Sequence, residues 1–327
     1  MKQTQGPRLK PQKKVLFIVG PTASGKTPLA IELAKRLQGE ILSADSMLIY
    51  KGMDIGTAKP SEKDQRRVPH HGIDLIPHSK EFSVFEYHRY AHKTIREIVR
   101  RGHLPIVAGG TGFYVRALLE GLSPLPGADA ALRLTLEREA AEGGLPALYE
   151  RLLKLDPERA KAIGPHNQRR IIRALEIGLI SGKKPSRSIK KNTGLRDLGY
   201  HPIVIGLTRE RAALYESINK RVDQMFKKGL VREVQKLSRG KFSKTAIQGV
   251  GYKEVSAFLL PDSTHPGCDR GVGGLSDVKN RIKQSTRHFA KRQWTWFKRE
   301  RDILWVWWPE GVNVKKVCDF VMERVAQ

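Results

Sequence analysis

Five apolar residues, Val15–Val19, run without a break into Gly20, the pattern of a buried parallel strand entering a tight turn. Beyond the turn, Leu29, Leu33 and Leu37 recur at helical spacing with Ala30 and Ala34 beside them, and Gly39 stops the pattern. Ile41 and Leu42 predict a short strand running into Asp45. Val84 to Arg101 predicts a helix ended by Gly102, and Pro105 to Ala108 a buried strand before the turn Gly109-Gly110-Thr111-Gly112. Ile203 to Leu207 is a fourth strand. Strands alternating with helices predict an α/β protein with a doubly wound parallel sheet, whose ligands sit outside the carboxyl ends of the strands. Gly20 to Thr27, Asp45, Thr111 and Thr208 all fall at such ends.

Between about Pro124 and His201 the strand signal vanishes, and Leu132 to Ala141 and Arg169 to Ile180 read as polar helices. Helices resume from Arg211 to Leu237 and from Asp277 to Lys298, separated by a Gly-rich loop from Pro261 to Gly274. The expected organisation is a disordered basic tail over 1–14, the first part of the α/β core over 15–123, an all-helical insertion domain over 124–200, and completion of the core over 201–327 by basic and aromatic helices.

Composition narrows the class. Hydrophobic residues make up 39% of the chain with no uninterrupted apolar run of the roughly 18 residues a span requires, so a soluble protein without a membrane segment is expected. Cys268 and Cys318 are too few for a disulfide framework and lack paired zinc spacing, which fits a reducing cytoplasm. Lys and Arg number 60 against 33 Asp and Glu, a net charge of +27 that concentrates polyanions at the surface. A merely basic soluble protein would carry the same totals, so position decides. From Lys279 to Arg301 nine Lys or Arg stand against the single acid Glu300, interleaved with Phe289, Trp294, Trp296 and Phe297. Cations there can neutralise phosphates while rings stack on unpaired bases; an amphipathic helix with an aromatic core is the competing explanation.

Gly20-Pro21-Thr22-Ala23-Ser24-Gly25-Lys26-Thr27 matches the P-loop pattern G-x-x-x-x-G-K-[ST], directly after a strand and before a helix. The backbone of Gly20, Thr22, Ala23, Ser24 and Gly25 can curl N–H groups around a diphosphate, Lys26 supplies a full charge, and the Thr27 hydroxyl can ligate Mg²⁺. Pro28 follows at once and is tolerable, since first-turn N–H groups have no intrahelical acceptor. ATP would be the default ligand. Neither the strand ending at Leu42 nor that ending at Leu207 reads as a Walker-B strand of four apolar residues capped by Asp and Glu, which argues against ordinary ATP hydrolysis.

The second strand leads instead into "SADSMLIY" from Ser43 and "DIGTAKP" from Asp54, followed by "PHHGIDL" from Pro69, "GGTGFYVRALLEGL" from Gly109, "QRRIIRALEI" from Gln168, "GVGYKE" from Gly249 and "KRQWTWF" from Lys291. In this order the motifs resemble the tRNA dimethylallyltransferases, in the bacterial short form, over most of the chain. The resemblance implies a P-loop-type core with a helical insertion contacting tRNA, and a cytoplasmic monomer. It implies transfer of a dimethylallyl group from dimethylallyl diphosphate, with Mg²⁺, to the exocyclic amine of the adenine 3′ of the anticodon in the tRNA stem-loop. It makes Asp45 the catalytic base, Thr111 the contact to the oxygen between prenyl carbon and phosphorus, and Arg221 the diphosphate clamp. Ser46, Gln168, Arg169, Arg173, Gln248, Gln293 and Trp296 become the tRNA contacts. Three of them have a plainer alternative: Asp45 as a helix cap or Mg²⁺ ligand, Arg221 on a solvated helix face, Arg173 paired with Glu176. Pro28, the Gly-rich stretch and the heavy basic load depart from the family pattern. A small-molecule kinase, or an RNA-binding module switched by a nucleotide, would share the P-loop.

Overall fold

A computed structural model describes residues 13–188, 193–259, 274–300 and 302–326. Residues 1–12 of the expected tail and nearly all of the Gly-rich loop lie outside the described residues, whereas Lys13 and Lys14 open the first strand. The strands are β1 (Lys13–Val19), β2 (Gly39–Ser43), β3 (Tyr50–Lys51), β4 (His70–His71), β5 (Ile76–Pro77), β6 (Leu104–Gly109), β7 (Tyr200–Thr208) and β8 (Ile303–Trp307). Six of them form one sheet in the order β4-β2-β6-β1-β7-β8, with every neighbouring pair parallel, and β3 pairs with β5 separately. This is the doubly wound α/β sheet that the alternating pattern predicts.

β1 is continuous in apolar residues because both of its faces are covered. Leu16 and Ile18 enter one core with Leu29 and Leu33 of α1 (Lys26–Arg36). Val15, Phe17 and Val19 enter a second core with Tyr87, Ala91 and Ile95. The helices after α1 are α2 (Glu62–Arg67), α3 (Val84–Arg100) and α4 (Gly112–Glu120). α3 starts with a reciprocal cap: the Glu86 N–H donates to Ser83 Oγ at 3.2 Å, and the Ser83 N–H donates to the Glu86 carboxylate at 2.7 Å.

Two compact units divide the chain, 1–120 with 194–327, and 121–193. The second holds α5 (Ala130–Glu142), α6 (Gly144–Leu155), α7 (Pro157–Ile163), α8 (Gln168–Ser181) and α9 (Pro185–Ser188). Its core is built on Leu136, Leu148, Leu152, Ile171 and Leu175. Fully buried in it, Glu176 accepts from Arg133 and Arg173, each at 2.7 Å, and from the Asp129 N–H at 2.8 Å. Burial pushes this carboxyl's pKa up, but the hydrogen bonds outweigh it and the net shift is downward.

In the first unit α10 (Arg211–Lys227) and α11 (Leu230–Leu237) are separated at Gly229, whose φ of 94° lies in the left-handed region. With α12 (Tyr252–Leu259) and α13 (Leu275–Phe297) they enclose a third core around Tyr50, Met53, Val222, Val234, Tyr252 and Ile282. The expected helical C-terminal region also holds β8, which pairs parallel with β7 from Val204↔Ile303 to Thr208↔Trp307 before α14 (Val314–Ala326) closes the first core.

Candidate active site

β1, β2, β6 and β7 are in parallel register, Val19 lying beside Gly109 on one side and Gly206 on the other, so the segments that leave their carboxyl ends share one edge of the sheet. Gly20 to Thr27 leaves β1. Gly25 caps α1 at φ 101°, and a Cβ there would come within 2.6 Å of the Trp308 ring, so glycine is required by both conformation and contact. Pro28 is the third residue of α1, where a missing N–H forfeits no bond. The Lys26 ammonium donates across the loop to the Pro21 carbonyl at 2.7 Å. Burial lowers its pKa to about 7; nearby Asp45 opposes the shift and Arg221 adds to it. Thr27 is exposed at the start of α1. Ser24 Oγ is fully buried and, among the described residues, lacks a hydrogen-bond partner.

Three distant side chains brace this loop. The Thr22 N–H donates to Gln293 Oε1 at 2.7 Å, and Gln293 Nε2 donates to the Gly110 carbonyl at 2.9 Å, so one buried amide ties the end of β1 to the end of β6. Arg209, directly after β7, donates through Nε to the Ser24 carbonyl at 3.1 Å while its guanidinium lies 4.7 Å over the Trp308 ring. Arg221 reaches in from α10, donating to Thr22 Oγ1 at 3.2 Å and to the Thr57 carbonyl at 3.1 Å.

Asp45 follows β2 in a turn of its own making: its Oδ1 accepts the Met47 N–H at 2.9 Å. Next to it, the Ser46 N–H donates to Thr111 Oγ1 at 3.0 Å, and the Thr111 hydroxyl donates to Ser46 Oγ at 3.3 Å. Burial lowers the pKa of the Arg221 guanidinium, and the charge of Asp45 opposes that shift. Lys26, Arg221 and Asp45 therefore form one electrostatic group. Thr22, Asp45, Ser46, Arg221 and Gln248 contribute polar atoms to a cavity of about 210 Å³. Met47, Val222, Met225, Ile282 and Phe289 give it an apolar wall, and Thr57, Thr286 and Arg292 also line it. A larger cleft of about 620 Å³ along α10 and α13, lined by Asn219, Lys283 and Arg287 among others, includes neither Asp45 nor any part of the phosphate loop.

The structure thus brings together Asp45, Ser46, Thr111, Arg221, Gln248 and the phosphate loop. Arg221 is not on a solvated face. Gln293 and Trp296, expected at the RNA, pack inward: Gln293 is the brace described above, and a Cβ on Gly112 would fall 2.2 Å from the Trp296 ring. Gln168 and Arg169 are exposed on α8 in the second unit. Arg173 is held by Glu176 and by the carbonyls of Pro126 and Gly127, the pairing that its spacing of three residues had left open. Sequence reasoning missed Arg209, Trp308, Glu233 and Tyr252. Only Arg209 had a local signal, a cation directly after a strand end.

A phosphate loop beside a partly apolar cavity that holds Asp45 and Arg221, at the carboxyl edge of a parallel sheet, is the arrangement of a P-loop transferase. The IPP transferase family model matches residues 48–300 and the isopentenyl transferase model residues 13–70. The chain belongs to the IPP transferase family. It is 43% identical to the tRNA dimethylallyltransferase of Pelotomaculum thermopropionicum over 97% of this chain and 96% of that one. It is 43% identical to that of Bacillus subtilis over 90% of each. Among solved structures, the tRNA isopentenylpyrophosphate transferase of Bacillus halodurans superposes with a TM-score of 0.68 at 39% identity, covering 96% of this chain and 97% of that one. A eukaryotic dimethylallyltransferase acting on tRNA gives 0.78 at 27% identity, covering 96% and 80%.

Proposed function

We propose that this enzyme transfers the dimethylallyl group of dimethylallyl diphosphate to the exocyclic N6 amine of the adenine immediately 3′ of the anticodon in tRNA, releasing diphosphate. One observation carries this reading: Thr22 of the phosphate loop, Arg221 and Asp45 line the same small cavity as an apolar wall. Phosphoryl transfer would use the loop but leave that wall without a substrate.

In the reaction the C–O bond between the prenyl carbon and diphosphate breaks as the N–C bond to N6 forms. Negative charge then builds on the departing diphosphate, where Lys26, the loop N–H groups and Arg221 stabilise it. Thr111 donates toward the bridging oxygen. The N6 lone pair is delocalised into the ring, so removal of its proton by Asp45 as carbon attacks lowers the barrier by a factor of roughly 10²–10⁴. Thr27 would hold Mg²⁺ together with diphosphate oxygens, its exposed hydroxyl and the unpartnered Ser24 Oγ fitting a loop built for an anion. Bound there, Mg²⁺ would neutralise charge on the leaving group. The adenine must leave its stack to reach Asp45, an extrusion worth a few kcal/mol. The cationic surface of α13 grips the anticodon arm. We further propose that the enzyme acts as a cytoplasmic monomer.

The test is mass spectrometry of anticodon-loop nucleosides after unmodified tRNA is incubated with dimethylallyl diphosphate and Mg²⁺. A five-carbon addition on the adenine 3′ of the anticodon is expected. Brisk cleavage of nucleoside triphosphates with untouched tRNA would overturn the proposal.

A further inference from the structure

We infer that Glu233, which does not line the cavity, is a positioning residue that aims Arg221 by gripping the loop over residues 54–57. The inference rests on the reading of Arg221 as a diphosphate contact.

Three successive backbone N–H groups, those of Asp54, Ile55 and Gly56, converge on the Glu233 carboxylate at 3.1, 2.8 and 3.2 Å. Such a row of amides around an anion is a nest, and its hydrogen bonds are strengthened by the full charge they meet. A fourth donor, the Tyr252 hydroxyl, reaches Glu233 Oε1 at 2.6 Å. The loop and the Tyr252 ring are in tight contact, since a Cβ on Gly56 would lie 2.4 Å from the ring. Tyr252 is in turn part of the cavity wall.

The next residue carries the effect to the site. The Thr57 carbonyl accepts from Arg221 at 3.1 Å, and the Thr57 hydroxyl donates back to the Met53 carbonyl at 2.6 Å. Lys59 fixes the far end of the loop through the Tyr50 carbonyl at 3.2 Å and ion pairs with Asp54 and Asp74. The Arg221 fork has two acceptors, Thr22 Oγ1 on the phosphate loop and the Thr57 carbonyl on this one. The direction of the fork is therefore set jointly by the two loops, and the position of the second depends on Glu233. Without the charge one uncharged oxygen is left for three amides and the Tyr252 hydroxyl, the Thr57 carbonyl drifts, and the guanidinium swings on a single tether.

The experiment compares Glu233→Gln with a control, Glu254→Gln, which loses a carboxylate on α12 that, among the described residues, accepts the nearby Gly251 N–H alone. Inorganic diphosphate binding is read by calorimetry, tRNA binding by filter retention, and transfer by steady-state kinetics. For Glu233→Gln we expect diphosphate affinity to fall about tenfold and the KM for the prenyl donor to rise equally. kcat should fall as well, because Arg221 meets the charge that builds on the leaving group, whereas tRNA affinity should stay within about twofold and the control should resemble the parent. Unchanged diphosphate affinity in Glu233→Gln, or equal weakening in the control, overturns the inference. Hydrogen exchange of the parent protein tests the same link without any variant. The amides of residues 54–56 should exchange more slowly once inorganic diphosphate is added, and unchanged exchange also overturns it. Diphosphate binding separates the two ideas. A parent that binds diphosphate but modifies no tRNA defeats the proposed reaction and leaves the Glu233 linkage measurable, whereas active parent with indifferent variants defeats the linkage alone.

Discussion

Asp45 lines the cavity and Lys26 lies in the phosphate loop within reach of its charge, and each makes a separable prediction. Asp45→Asn keeps the acceptor for the Met47 N–H and so preserves the turn, but it cannot take a proton from N6. Transfer should fall by roughly 10²–10⁴ while tRNA binding is retained; single-turnover kinetics beside a binding isotherm will show it, and unchanged transfer would remove Asp45 from the chemistry. Lys26 has a pKa near 7, below its ordinary value of 10.5, so its ammonium persists below pH 7 and is lost as pH rises above it. A bound diphosphate favours the charged form. Above pH 7 the donor should therefore bind with uptake of about one proton, and affinity should weaken between pH 6 and pH 8. Calorimetry in buffers of different ionisation enthalpy measures the uptake, which Lys26→Met should abolish.

α13 does two jobs at once. Its outer face carries the cations expected to meet RNA, while Gln293 on its inner face closes a bridge between Thr22 and Gly110. Gln293→Ala should strand an N–H and a carbonyl that water reaches poorly, destabilising the fold by about 2 kcal/mol and raising the donor KM roughly tenfold, because the phosphate loop loses a fixed point. Thermal denaturation and donor kinetics check the two parts; a shift in tRNA affinity alone would refute the bridging role. No local pattern announces such a residue, since its partners lie 271 and 183 positions away. The central strands and α3 were legible because burial on both faces of β1 and one buried stripe on α3 write themselves into the order of apolar residues. β3, β4 and β5 were not, being two residues each and fixed only by pairing. β8 escaped for another reason. Ile303–Trp307 is a short apolar run soon after the aromatic end of α13 (Trp294, Trp296, Phe297), and its register against β7 is what fixes it as a strand. In the site, the P-loop and Asp45 belong to contiguous motifs and could be read directly, whereas Arg209, Trp308 and Glu233 act through contacts between separate elements.

The sheet also has an end far from chemistry, and stability can be probed there without touching the site. Glu40, near the start of β2, is buried and accepts from Arg101 at 2.9 and 2.7 Å, from His71 at 2.6 Å and from His103 at 2.7 Å. Burial pushes its pKa up, but the Arg101 and histidine hydrogen bonds prevail and hold it at about 2, against an ordinary 4.5. The folded value is the lower one, so this contribution is fully present above pH 4.5 and is lost as pH falls toward 2. It amounts to about 3 kcal/mol. Urea denaturation from pH 5 to pH 2 should show this loss, and Glu40→Gln should flatten it.

Thr22 has a consequence for biogenesis. Its amide is held by Gln293 and its hydroxyl by Arg221, both of which lie far downstream of the loop they secure. A nascent chain that has emerged from the ribosome only as far as β7 contains the entire glycine-rich segment and neither clamp. Under the proposed reaction, donor capture waits until synthesis is nearly finished, and a product truncated before α10 is expected not to hold the prenyl donor.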